Sequence, residues 1–229
     1  MKHLIGALLL FTAMTGLAAE KLETITTQEQ FGSFMEGYYK NPRPELVESA
    51  MRFLAGPGAS LTTNENTARM MQASFACLFQ RHPEKRAEWK KVIETLPDAV
   101  HTYLNVSMES RVEAMFQATP TVPEKNDMSW GCYFITGDTS YVQNVVLAMK
   151  HLGERKDLNK YLTAASAQWS LASISTQDDK VREVLQAAAK GTDAQLAAAA
   201  REALSKPVGE LRESMIATLR EQNKAGIWK

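Results

Sequence analysis

The chain has 229 residues, with 26 Lys+Arg against 26 Asp+Glu, and 45% of its residues are hydrophobic. Balanced charge, with no basic run or Lys/Arg-rich face, argues against a nucleic-acid partner and gives no reason to invoke an anionic membrane surface. Two cysteines in so long a chain do not make a disulfide framework, so a hydrophobic core must supply the stability.

The chain begins "MKHLIGALLLFTAMTGLAAEK". Lys2 precedes an apolar run that starts at Leu4, and the stretch ends in the small residues Gly16, Ala18 and Ala19. The run is too short to span a bilayer stably and lacks a stop-transfer flank. It predicts a cleaved secretory signal over residues 1–19, a periplasmic or secreted location, and no stable membrane insertion after cleavage. No cysteine lies near the cleavage region, which argues against a lipid anchor. Export leads to an oxidising compartment, where Cys77 and Cys132 can bridge. Both fall in predicted helices, so a bridge requires Cα atoms within about 7 Å of each other. The sequence leaves open whether they meet it.

The mature chain, 20–229, reads as helix after helix, with almost no strand-like alternation. The first helix is expected over Thr27 to Tyr39, carrying Phe31, Phe34, Met35 and Tyr38, and "KNPRP" stops it. A second starts near Pro44, a good first-turn residue, and ends at "AGPGAS". The long third, within "TNENTARMMQASFACLFQRHP", places Met70, Met71, Ser74, Phe75, Leu78 and Phe79 on one side. Pro83 opens a fourth with Trp89, Val92, Ile93 and Leu96. Shorter helices follow around Pro97 to Val106 and Glu109 to Ala118. "TPTVPEKND", 119–127, reads as the clearest loop and as a divide between two subdomains of one helical domain. Beyond it, helices are expected over Met128–Thr136, Thr139–Leu152, Asp157–Ile174, Asp178–Lys190, Asp193–Lys206 and Pro207 to about Asn223.

"RPELVESAM", "DTSYVQNVV" and "DDKVREVL" each place a turn residue before apolar pairs four residues apart, and the last two recur about 40 residues apart. The expected fold class is therefore all-α. It is built of stacked antiparallel helix pairs, either as an irregular repeat-like α-solenoid or as a helical bundle.

"WGCYFITGDTSYVQNVV", from Trp130 to Val146, poses the main functional question. Wound as a helix, "MSWGCYFIT" is apolar on every side and predicts a buried central helix over Trp130 to Ile135. Gly137 suits the left-handed residue that ends it, and Asp138 or Thr139 can cap the next helix. A lone carboxylate with no visible partner is better read as that cap than as a catalytic group.

This stretch, with "YYKNPRPELVESAMRFL" and "FACLFQRHPEKRAEWKKVI" upstream and "AQWSLASISTQDDKVREVL" downstream, resembles a family of exported bacterial all-helical proteins. That family carries a Trp-Gly-x-Phe-Phe-x-Thr-Gly-Asp-like turn, an earlier Tyr-x-x-Asn/His-Pro segment and a later Trp-Ser-Leu segment. The resemblance spans about Tyr38 to Leu185. It implies export and an all-helical fold. The family has no established activity, so no catalytic residue is implied. Cys77 and Cys132 stand where the family pattern has Ala or a polar residue, so a bridge between them is peculiar to this chain.

Outside the signal the histidines are His82, His101 and His151, far apart, with no HExxH and no pair one turn apart, so no metal site is expected. His82, in "RHPEK", reads as a helix-end or solvent-facing residue. G-x-S-x-G, S-x-x-K and a phosphate-cradling glycine loop are all missing. Cys77 and Cys132 lie among apolar neighbours where a thiol stays inert. Asp178 and Asp179 read as a helix start. The eleven methionines read as core filler, without the clustering of a copper site. No catalytic constellation and no cofactor is expected.

The leading expectation is thus a helical binding or scaffolding protein that takes a protein or peptide partner, with Tyr38, Tyr39, Trp89, Trp130 and Trp169 as candidates to line a groove. The alternative is an all-helical periplasmic enzyme acting on envelope polymers, which requires an acid and a base converging in a cleft.

Overall fold

A computed structural model of the protein describes residues 24–228. The segment 1–19, read as a signal, lies outside the described residues. Thirteen α-helices, three of them extended by single 3-10 turns, account for the regular structure among those residues, and no strand occurs there. The chain divides into two compact units. One comprises the chain to Phe116 together with Gly131–Gly137; the other comprises Gln117–Trp130 and Asp138–Lys229.

In the first unit, α1 (Gln28–Gly37) starts at a capping box. Thr27 accepts the backbone N–H of Gln30, and the Gln30 side chain accepts in return; the pair satisfies donors that a helix start leaves open. A 3-10 turn at Pro44–Leu46 leads into α2 (Val47–Leu54), and α3 (Ser60–Thr63) is a short helix not expected from the sequence, starting at the last residue of the "AGPGAS" that ends α2. α4 (Glu65–Arg81), α5 (Arg86–Ile93) and α6 (Asp98–Glu109) follow, then α7 (Val112–Ala118). α4 packs on α3 and α6, and α5 packs on α2 and α6. Aromatic side chains fill the interior: Phe31 stacks on Phe53 at 5.1 Å, and Phe79 bridges Phe75 and Trp89 at 5.8 Å each.

α8 (Pro123–Thr136) begins in the second unit and ends in the first. Its start corrects the expected loop 119–127, whose last five residues are helical. Pro123 supplies a first-turn φ and lacks the N–H that would be unpaired there. The polar composition that suggested a loop is accounted for internally: the buried Asn126 amide donates to the Thr163 carbonyl at 2.7 Å and to Ser166 Oγ at 3.0 Å.

The second unit continues with α9 (Thr139–Ala148), α10 (Leu158–Ile174), α11 (Asp179–Ala189), α12 (Ala194–Ser205) and α13 (Val208–Lys224). Asp138, Asp157, Asp178 and Asp193 cap α9 to α12 in turn, each accepting a backbone N–H two or three residues on. Like helices pack on like: α9 on α11 and α10 on α12, with α9–α10 and α11–α12 as consecutive pairs. The faint 40-residue recurrence therefore corresponds to two stacked helix pairs. α10 also meets α13 and is buried over most of its circumference. Its small residues Ala164, Ala165, Ala167, Ser170 and Ala172 permit that close approach.

Candidate functional site

The turn at Gly137 resolves as a helix joint. Gly137 has φ +70°, and a Cβ there would press on the Tyr39 ring. Its N–H donates to the Tyr133 carbonyl at 2.7 Å, closing α8. Asp138 Oδ1 then accepts the Ser140 N–H at 2.9 Å. Cys132, Tyr133 and Ile135 are fully buried and Phe134 is half-buried, so the helix is buried on most sides, as expected. Cys77 on α4 and Cys132 on α8 are joined by a disulfide, with Cα atoms 5.5 Å apart.

Of the expected groove aromatics, Tyr38, Tyr39 and Trp89 belong to the first unit, and Trp130 and Trp169 to the second. Tyr38, Trp89 and Trp130 expose no more than 3% and are core residues, a correction to their expected place in a groove. Tyr39 is half-buried over Tyr133, with hydroxyls 3.2 Å apart. Trp130 donates its indole N–H to Ser170 Oγ at 3.0 Å. Trp169 is half-buried on α10, its indole nitrogen enclosed without an acceptor.

His82 is a helix-end residue, as expected, and is half-buried. It precedes the 3-10 turn Pro83–Lys85, and its ring packs edge-on to both Tyr38 and Trp89 at 5.8 Å. Nε2 lies 2.8 Å from the Tyr38 hydroxyl and Nδ1 lies 3.1 Å from Glu84 Oε1. One tautomer satisfies both: Nδ1–H donates to the carboxylate and the Tyr38 hydroxyl donates to Nε2. Burial pushes the Tyr38 hydroxyl up to about 12, against the opposing pull of Arg81. The Glu84 backbone N–H, then His82, hold the Glu84 carboxyl below its usual range. Tyr38 is 1% exposed, so its bond to His82 ties the end of α1 to the turn before α5, while Glu84 stays exposed. His101 bonds Asn105 on its own helix, and His151 bonds Glu154 in the other unit. Among the described residues, no group of three His, Cys, Asp or Glu side chains is placed to hold a metal ion, and no helix is long and apolar enough to cross a membrane.

An open depression lies at the end of the second unit, and sequence reasoning passed over it. After α13 the chain reads "NKAGIW". Gly226, at φ +65°, donates its N–H to the Asn223 carbonyl, and Ile227 donates to the Gln222 carbonyl. This pair of bonds is a Schellman stop, which reverses the chain. The reversal lays Trp228 on Tyr161 near the start of α10, ring centroids 6.0 Å apart and stacked. Lys156, Asp157, Leu158, Ile227 and Trp228 then line an open pocket of about 480 Å³. That lies within the range of about 300–1,000 Å³ usual for small-ligand clefts. Ile227 is 43% exposed at its mouth. The Trp228 indole nitrogen is enclosed with no acceptor. A buried donor left unpaired costs about 1–3 kcal/mol, so the docked tail is held by ring stacking against that penalty. Gly226 was the legible signal, since a glycine just past an apolar-periodic segment marks a reversal; where the reversed tail lands was not legible.

No protein-family model matches the chain, and no curated protein or solved structure shows significant similarity to it.

Proposed function

We propose that the chain is an exported helical binding protein that takes its ligand in the pocket between the start of α10 and the Ile227–Trp228 tail. The observation carrying this reading is the pocket itself, an open depression in which Leu158, Ile227 and Trp228 supply apolar surface beside the polar Lys156 and Asp157. The Cys77–Cys132 bond supports export, because structural disulfides persist mainly in oxidising compartments. The Lys2-led apolar run supports it independently.

A thermal-shift screen of chemically diverse small ligands tests the reading. Ligand at about 100 times its Kd adds about 2.7 kcal/mol, and each kcal/mol moves Tm by about 2–4 °C in a chain of this size. A shift of about 5–11 °C that disappears in Ile227→Asp is the expected result. Shifts indifferent to Ile227→Asp would remove the pocket from the reading. For export, N-terminal sequencing of protein recovered from the periplasm should begin after Ala18 or Ala19; an intact Met1 there would refute cleavage.

A further inference from the structure

We infer that residues 225–228 form a strap, which assembles the depression when Trp228 docks on Tyr161 and dismantles it when Trp228 lifts. The inference rests on the binding reading above and deepens it, by naming what controls the site. Its basis is how differently the two walls are held. Leu158, with Lys156 and Asp157 just before it, belongs to the start of α10, whereas Ile227 and Trp228 belong to the tail. Among the described residues the tail's backbone bonds run back to α13, from the Gly226 N–H to the Asn223 carbonyl at 3.1 Å and from the Ile227 N–H to the Gln222 carbonyl at 3.2 Å. These bonds shape the reversal without touching α10. What sets the tail on α10 is the Trp228 ring, stacked on Tyr161 at 29° between planes.

Two features oppose docking. The Trp228 indole N–H is enclosed without an acceptor, and it regains a water partner when the tail lifts. Ile227 is still 43% exposed when docked, so its apolar surface gains little from docking. Tyr161, by contrast, is 5% exposed beneath the tail and loses its cover when Trp228 leaves. Gly226 is the pivot, since its φ of +65° is open to glycine and strained for other residues. A ligand that touches Ile227 and Trp228 meets them in place only in the docked state. It therefore draws the strap down, and its apparent affinity scales with the docked fraction.

Nitration of Tyr161 by tetranitromethane, read peptide by peptide in a mass spectrometer, tests the strap together with hydrogen exchange at the Ile227 amide. In the mature wild-type chain both should proceed through a local opening, at rates that low urea leaves unchanged. Trp228→Ala should speed Tyr161 nitration by about two- to twelvefold, the factor that corresponds to losing an aromatic pair. Gly226→Ala, which keeps both contact residues, should move it the same way. Tyr133, fully buried in the other unit, should keep its rate in both variants. Trp228→Phe keeps a ring and drops the unpaired donor, so it should protect Tyr161 far better than Trp228→Ala; equal rates in those two would overturn the stack as what holds the strap. An unchanged Tyr161 rate in Trp228→Ala would overturn the strap. So would wild-type nitration and exchange that rise with urea in step with global unfolding, because the tail would then be a fixed wall. Rates as expected, alongside a ligand screen with no Ile227-dependent shift, would overturn the binding reading and leave the strap standing.

Discussion

Gly131 on α8 faces Ser74 on α4 so closely that a methyl group at position 131 would overlap the Ser74 hydroxyl and lie 3.1 Å from the Met70 carbonyl oxygen. The Ser74 hydroxyl is itself held there, donating to that carbonyl at 2.8 Å. Gly131→Ala should therefore destabilise by about 1–3 kcal/mol, the usual cost of overfilling a packed contact. Adding Ser74→Ala should recover part of that loss, because it removes the hydroxyl and leaves only the carbonyl contact. Urea denaturation of both single variants and the double variant checks this, and strictly additive losses would show that the two positions do not share a contact.

Asp138→Ala should cost about 0.5–2 kcal/mol, the range for losing an N-cap, because Asp138 Oδ1 holds the Ser140 N–H. A strained functional carboxylate behaves oppositely, and its removal tends to raise stability. A variant more stable than wild type in chemical denaturation would overturn the capping role.

The Cys77–Cys132 bond closes a loop of sequence separation 55. The chain-entropy relation gives about 4 kcal/mol for a loop of that size. Cys77→Ala/Cys132→Ala should lose on the order of 2–4 kcal/mol, allowing for the usual shortfall. Non-reduced mass spectrometry of the wild type should find no alkylatable thiol.

Asp127, on α8, has its carboxyl pushed from 3.8 to about 7, first by burial and then by the nearby Glu124. The folded state holds this proton where the unfolded chain has released it. Stability is therefore fully present below about pH 4 and falls as pH rises toward about 7. At about 1.36 kcal/mol per pH unit, the loss approaches 4 kcal/mol as an upper bound. Glu36, raised by burial from 4.5 to about 7, acts in the same direction. Asp127→Asn should be more stable than wild type at pH 8 and nearly equal to it at pH 4. An unchanged pH slope in the variant would exclude Asp127 as the source.

What the sequence by itself determined is local. Helix starts at Asp138, Asp157 and Asp193 were legible because a cap acts on backbone N–H groups two or three residues away. The stop at Gly137 was legible because only a residue tolerant of φ +70° fits there. The polar first turn of α8 was misread, since Asn126 finds its partners on α10, far along the chain. Tertiary structure alone decided which side chains became partners. It turned His82 between Tyr38 and Trp89, across a separation of 44 residues to the tyrosine, brought Cys77 within bonding reach of Cys132, and left Phe134 half-exposed while enclosing its neighbours. It also set Trp228 on Tyr161 and so opened the candidate pocket. Propensity and capping operate within about one helical turn, whereas burial depends on which helix faces arrive together, and one chain's periodicity does not encode its neighbours' positions.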